Sequence, residues 1–243
     1  DIATNYVSGN QAGDNTGNNA GDNATTYIAS ATLDCKHSYN DHFYWSAGAD
    51  LALTEKQTIG VKYDGYNIHH ASKNITFENV AAIGCGDDSV SAHENCTISV
   101  KNLVAIGNGT GICHGGTAEA DHENMYIADS DSRDFFVLNR RNSFRNIAVE
   151  ASAPATSEIG DKGDAVLENL RFHSEKPGAR FRTQNAGQVT AKNVELFNHT
   201  YLGNTPGITV VNDPASVKAE IARKKAELFA IFGDKLTAAL AEQ

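Results

Sequence analysis

The chain is short of the residues that staple, kink or anchor a small fold. Its 243 residues include only 4 Cys, 4 Pro, 1 Met and 1 Trp. A chain of that length buries enough surface to fold without disulfide staples. Positive charge is scarce too: 20 Lys and Arg stand against 30 Asp and Glu, a net charge of −10. A nucleic-acid binder needs a basic footprint, so that class is excluded. The balance suits a cation, or a polymer met locally by the few Arg and Lys. Long apolar runs are also missing, and nothing approaches the roughly 20 residues that a membrane-spanning helix requires. With no opening Met and no signal-peptide pattern, the chain reads as a mature form or an excerpt.

What is plentiful is Gly, at 21 residues, and Asn. Both favour turns, so many short strands are expected. A repeat gives them order. Segments such as Ile75–Ala82 (ITFENVAA), Ile98–Ala105 (ISVKNLVA) and Val166–Phe172 (VLENLRF) each place an apolar residue after an Asn. The six Asn are Asn79, Asn102, Asn124, Asn146, Asn169 and Asn193, at spacings of 23, 22, 22, 23 and 24. Alternating apolar and polar residues around each Asn indicate strands. Strands and turns recurring at this period make one coil of a solenoid, stacked on the next at about 4.8 Å. A buried Asn at one register can then bond its counterparts above and below. The expected fold is all-β, a right-handed parallel β-helix of seven to eight coils over residues 1–213, with an irregular Gly/Asn-rich start at 1–32.

Upstream the repeat is carried by Asp41, Asp64 and Asp87, each 23 residues apart, with Thr110 next. A tandem octapeptide, Gly9–Thr16 and Gly17–Ala24, precedes them and reads as surface loop, with a calcium loop as the alternative. The C-terminus changes period. Asp213-Pro214 is a helix start, and Val217, Ile221, Leu228, Phe232, Leu236 and Leu240 follow at helical spacing. An amphipathic helix over 214–243 is expected to cap the open last coil, with Leu228 and Phe232 near Val210. An oligomerisation helix is the alternative.

In a strand, alternate side chains share a face. Counting from the ladder Asn puts Asp87, Ser89, Ser91 and His93 outward on one coil. The coil before gives Asp64, Tyr66 and His70, the one before that Asp41 and Trp45, and the one after brings His114 close. Arg133 lies beyond, at a register shifted by one. Carboxylates, imidazoles and the aromatics Trp45, Tyr66 and His70 on one strip suit a sugar-binding acid/base site. Three carboxylates about 5 Å apart repel by roughly 3 kcal/mol per pair at an effective dielectric of about 20. Either one holds a proton, as a general acid does, or a cation neutralises the group. A solvated acidic edge is the bland alternative.

Residues Lys62–Gly116 resemble the central part of the polygalacturonase family, within the pectate-lyase-like β-helices. Tyr63-Asp64-Gly65 with Ile68-His69 is similar to the family's Asn-Thr-Asp-Gly segment. Gly86-Asp87-Asp88 matches its Gly-Asp-Asp. The family's Gly-His-Gly reads Gly109-Thr110-Gly111 here, with His114 three residues on. The resemblance implies an inverting hydrolase of a uronic-acid polysaccharide such as pectin. Asp64, Asp87 and Asp88 would be its carboxylates, about 6.5–9.5 Å apart, with His93 and His114 beside them. An alternative is a calcium-dependent lyase, with calcium on Asp64, Asp87 and Asp88 and Arg133 as the base. A second alternative is a non-catalytic carbohydrate-binding or structural solenoid of the adhesin or tailspike kind. The resemblance also implies an extracellular or cell-surface protein. Cys35, Cys85, Cys96 and Cys113 stack on none of each other, which leaves Cys85 or Cys96 with Cys113 as candidate pairs.

Overall fold

The computed structural model describes residues 27–28, 34–36, 43–45, 51–60, 63–69, 72–115, 118–138, 141–150, 155–160, 163–183 and 188–241. The octapeptide repeat, Asp41 and His70 lie outside them. In chain order the first strands are β1 (Tyr27–Ile28), β2 (Asp34–Lys36), β3 (Phe43–Trp45), β4 (Leu51–Ile59), β5 (Tyr66–Ile68) and β6 (Ile75–Ile83). Next come β7 (Asp88–Ala92), β8 (Thr97–Ile106), β9 (Thr110–His114), β10 (Glu119–Ala128), β11 (Arg133–Val137) and β12 (Arg141–Glu150). Last are β13 (Ser157–Ile159), β14 (Asp164–His173), β15 (Ala179–Thr183), β16 (Val189–Phe197), β17 (His199–Leu202) and β18 (Ile208–Val211). The helices α1 (Pro214–Phe232) and α2 (Asp234–Ala241) close the chain.

The strands alternate between two parallel sheets. The long strands stack as β4-β6-β8-β10-β12-β14-β16-β18, with β1 and β2 both on β4. The short ones stack as β3-β5-β7-β9-β11-β13-β15-β17. This is the expected parallel solenoid; seven to eight coils is an approximate count, and six carry a ladder Asn.

Each ladder Asn sits in the left-handed region, with φ between 55° and 62° from Asn79 to Asn193. Asn tolerates that conformation better than other residues with a β-carbon. The kink resets the alternation: Phe77 and Val80, on either side of Asn79, are both buried. The amides chain the coils together. Asn102 donates to Asn79 and Asn124 to Asn102, both at 2.7 Å, and Asn169 donates to Asn146 at 3.1 Å and Asn193 to Asn169 at 2.8 Å. From the C-terminal helix, the Lys224 ammonium also donates to Asn124.

Inside, columns of equivalent residues make the core. Phe135 packs against Phe144 and Phe172 at 5.3 and 5.8 Å, and Phe172 against Phe181 at 4.9 Å. Asp213 caps α1 through Ala215 N–H at 2.9 Å. The helix lies along the face of the long sheet, contacting β8, β10, β12, β14 and β16, with Phe197 and Val211 of the last coils at the edge of its apolar cluster. Val217, Ile221, Leu228 and Phe232 pack on Ala81, Val104, Tyr126 and Ala148, which face outward beyond the ladder kink. The physical reason is a second apolar stripe, one residue per coil, which a helix of about 28 Å spans at 1.5 Å per residue. Val210, the expected contact of Leu228 and Phe232, stays 47% exposed.

Candidate functional site

Asp64 precedes β5, Asp87 precedes β7 and Asp88 opens it. The short sheet pairs Tyr66 with Val90 and Asn67 with Ser91, a step of 24 residues. Two residues earlier, that step sets Asp64 over Asp88, not over Asp87. The Asp88 N–H donates to Asp64 Oδ1 at 3.1 Å, and the Gly65 N–H to the Asp88 carbonyl at 2.8 Å. Gly65 is needed for this approach: a β-carbon there would lie 2.8 Å from both the Ser89 carbonyl and the Thr58 hydroxyl. One carboxylate oxygen from each of Asp64, Asp87 and Asp88 lies within 4.8 Å of the others.

Burial divides their roles. Asp64 and Asp88 are buried and Asp87 is exposed. Burial, then the Asp88 charge, pushes the Asp64 carboxyl up to about 7, against the Asp88 N–H and the Ser91 hydroxyl, which lower it. Burial and the Asp87 charge push Asp88 up to about 6, while the Cys113 thiol and Thr110 hydroxyl hold it back. A cluster with two such groups retains a proton near neutrality, as the repulsion between three carboxylates requires.

The other expected members scatter. Tyr66, expected on the outer strip, is fully buried; its hydroxyl donates to the Ala81 carbonyl at 3.1 Å and its ring packs on Phe77 at 5.2 Å. The 24-residue step moves it by one position, and one position turns a strand residue to the other face. Trp45 is in register with Ile68, a core position. His114 is also interior, in register with Ala92, and bonds His122. His93 is half-buried and stacks on His69 at 4.7 Å, where His70 was expected. Burial, then His69, lowers its pKa, with Glu94 opposing. Its Nε2 meets the Ser91 hydroxyl. Arg133 pairs with Thr110, which pairs with Asp88, so two coil steps of about 4.8 Å separate it from the carboxylates. Its guanidinium lies 4.3 Å over Phe136. Cys85, Cys96 and Cys113 are free thiols, so neither candidate disulfide forms.

Sequence reasoning placed Ser91 on the outward strip, Thr110 in the Asp register and Cys113 in a candidate disulfide, but missed that all three hydrogen-bond the carboxylates. It also passed over Tyr63, a 44% exposed aromatic beside Asp64. The signal for Tyr63 was adjacency alone. The carboxylate oxygens lie closer than the roughly 6.5–9.5 Å carboxyl separation that leaves room for a water in an inverting hydrolase. Oxygens up to 4.8 Å apart can share one calcium ion, whose ligands stand at about 2.3–2.6 Å.

No family model matches the chain, and no solved structure matches it. Two curated proteins are similar: the preneck appendage protein of Bacillus phage PZA and the pre-neck appendage protein of Bacillus phage phi29. Each is 27% identical over 139 residues, which is 56% of this chain. The chain spans 15% of the length of these relatives.

Proposed function

We propose that this chain is a structural, non-catalytic β-solenoid segment of an appendage-type protein, acting outside the cell as a rigid part of a larger assembly. One observation carries the reading: similarity over more than half the chain to two phage appendage proteins. The fold is in keeping with it. A stacked solenoid is a stiff rod whose stability grows coil by coil. Two features of a sugar-cleaving strip are also displaced, since Tyr66 and His114 lie in the core.

A second reading is favoured by the carboxylate cluster. Buried carboxyls holding a proton near neutrality are what a general acid needs, and the same oxygens suit calcium. On this reading the chain cleaves a uronic-acid polysaccharide, by hydrolysis or by calcium-dependent elimination.

One experiment separates the two. The full chain is incubated with uronate polymers, with and without calcium, and assayed for new reducing ends and for unsaturated uronate. The structural reading expects neither product. Turnover that falls at least about 10²-fold in Asp88→Asn, or that needs calcium, would overturn it in favour of the enzyme.

A further inference from the structure

Two histidines stand inside the solenoid with apolar residues on either side of them in their columns. His122 on β10 is in register with Val100 and Phe144, and that column continues to Phe77 and Leu167. His114 on β9 is in register with Ala92 and Val137. Both are fully buried. Their Nε2 atoms are 2.9 Å apart, and the His122 ring stacks on Phe144 at 4.6 Å. Neither Nδ1 has a hydrogen-bond partner among the described residues. A single N–H···N bond needs one bare Nε2 and one protonated, so the accepting ring is neutral with its proton on Nδ1, and full burial disfavours a charge on the donating ring.

Few charges face them. His93 acts on His114 and Asp121 on His122, while the charges of Asp64, Asp87 and Asp88 bear on Cys113 next to His114. Val100, Phe144, Ala92 and Val137 on the flanking strands carry no charge. Burial therefore dominates. It holds His122 down at about 3, against the Ser143 backbone and Asp121, and holds His114 well below its ordinary value.

We propose that the His114–His122 pair is an acid-sensitive joint in the solenoid, at which mild acid loosens the coil formed by β9 and β10. The folded rings resist protons that the opened chain accepts at about pH 6.5. Their stabilisation is present above that value and is lost as pH falls from it toward the folded value. Each ring shifts the opening equilibrium by up to about tenfold per pH unit, and the pair by up to about a hundredfold. Solenoid coils open with partial independence, so the response belongs to the coil that holds the pair.

Amide hydrogen exchange on the full chain, compared at about pH 7.5 and pH 5 and corrected for intrinsic rates, tests this. The opening equilibrium of β9 and β10 should rise at least about tenfold at the lower pH, and that of β7 should not. The double variant His114→Val, His122→Phe gives each column a residue of its neighbours' type and should abolish the response. Should it fail to fold, His122→Phe alone should reduce the response. Unchanged protection of β9 and β10 in the parent, or an equal loss in the variants, would overturn the proposal.

Discussion

Asn102 gives its amide to Asn79 and accepts from Asn124, in a backbone conformation with φ 59°. Replacing it by Ala orphans both neighbours and puts a less tolerant residue in the left-handed region. The loss in chemical denaturation should be about 1–3 kcal/mol. Asp64 bears on stability through pH. Its carboxyl stands at about 7 in the folded chain against 3.8 ordinarily. A group raised on folding stabilises below its unfolded value, and that contribution is lost as pH rises through the folded value. Asp64→Asn should therefore leave stability near pH 4 little changed. Near pH 8 it should raise stability by up to about 4 kcal/mol relative to the parent, as read from denaturation midpoints across that window.

The helix α1 is an element with two attachments. Its apolar face covers the outer stripe of Ala81, Val104, Tyr126 and Ala148, and Lys224, only 8% exposed, reaches the Asn ladder. Deleting 214–243 should expose that stripe and produce aggregates visible by light scattering. Leu228→Ala, which opens a cavity under the helix, should cost about 2–5 kcal/mol. On the same sheet, before the ladder, Glu78, Lys101, Glu123, Arg145, Glu168 and Lys192 stand in register with alternating sign. Lys101 reaches Glu78 at 3.8 Å and Lys192 reaches Glu168 at 3.3 Å. Each exposed pair contributes little, but a reversal sets like charges between neighbouring coils. Glu123→Lys should destabilise by about 0.5–1 kcal/mol at low salt, and 1 M salt should remove most of that difference.

For the molecule as a whole, stability should fall toward the C-terminal end. The strands β8, β10 and β12 have a neighbour on each side and α1 above them. The strand β18 ends its sheet, and β17 ends the other. Amide exchange should be slowest in β8, β10 and β12 and fastest in β17 and β18, since local opening follows the number of buried neighbours. A uniform rate along the chain would contradict a solenoid whose coils are stabilised by stacking.

The Asn spacing alone determined the fold, because a ladder position must recur once per coil whatever else changes. Helix periodicity after Asp213-Pro214 likewise placed α1. Where that helix lies was not legible: its apolar face fits an open coil end as well as a sheet face. The outer stripe of Ala81, Val104, Tyr126 and Ala148 emerges only once the kink at each Asn resets the alternation. The carboxylate site was half legible. Asp64, Asp87 and Asp88 come together, but the 23-residue spacing pointed to Asp64 over Asp87, and the coil steps of 24, 22 and 23 residues in the short sheet decided that Asp88 lies there instead and which neighbours face the group. A strand reverses its faces with every residue, so one residue of coil length separates an exposed Tyr66 from a buried one. Only the stacked structure sets that length, because turns between coils absorb or add residues without disturbing the ladder.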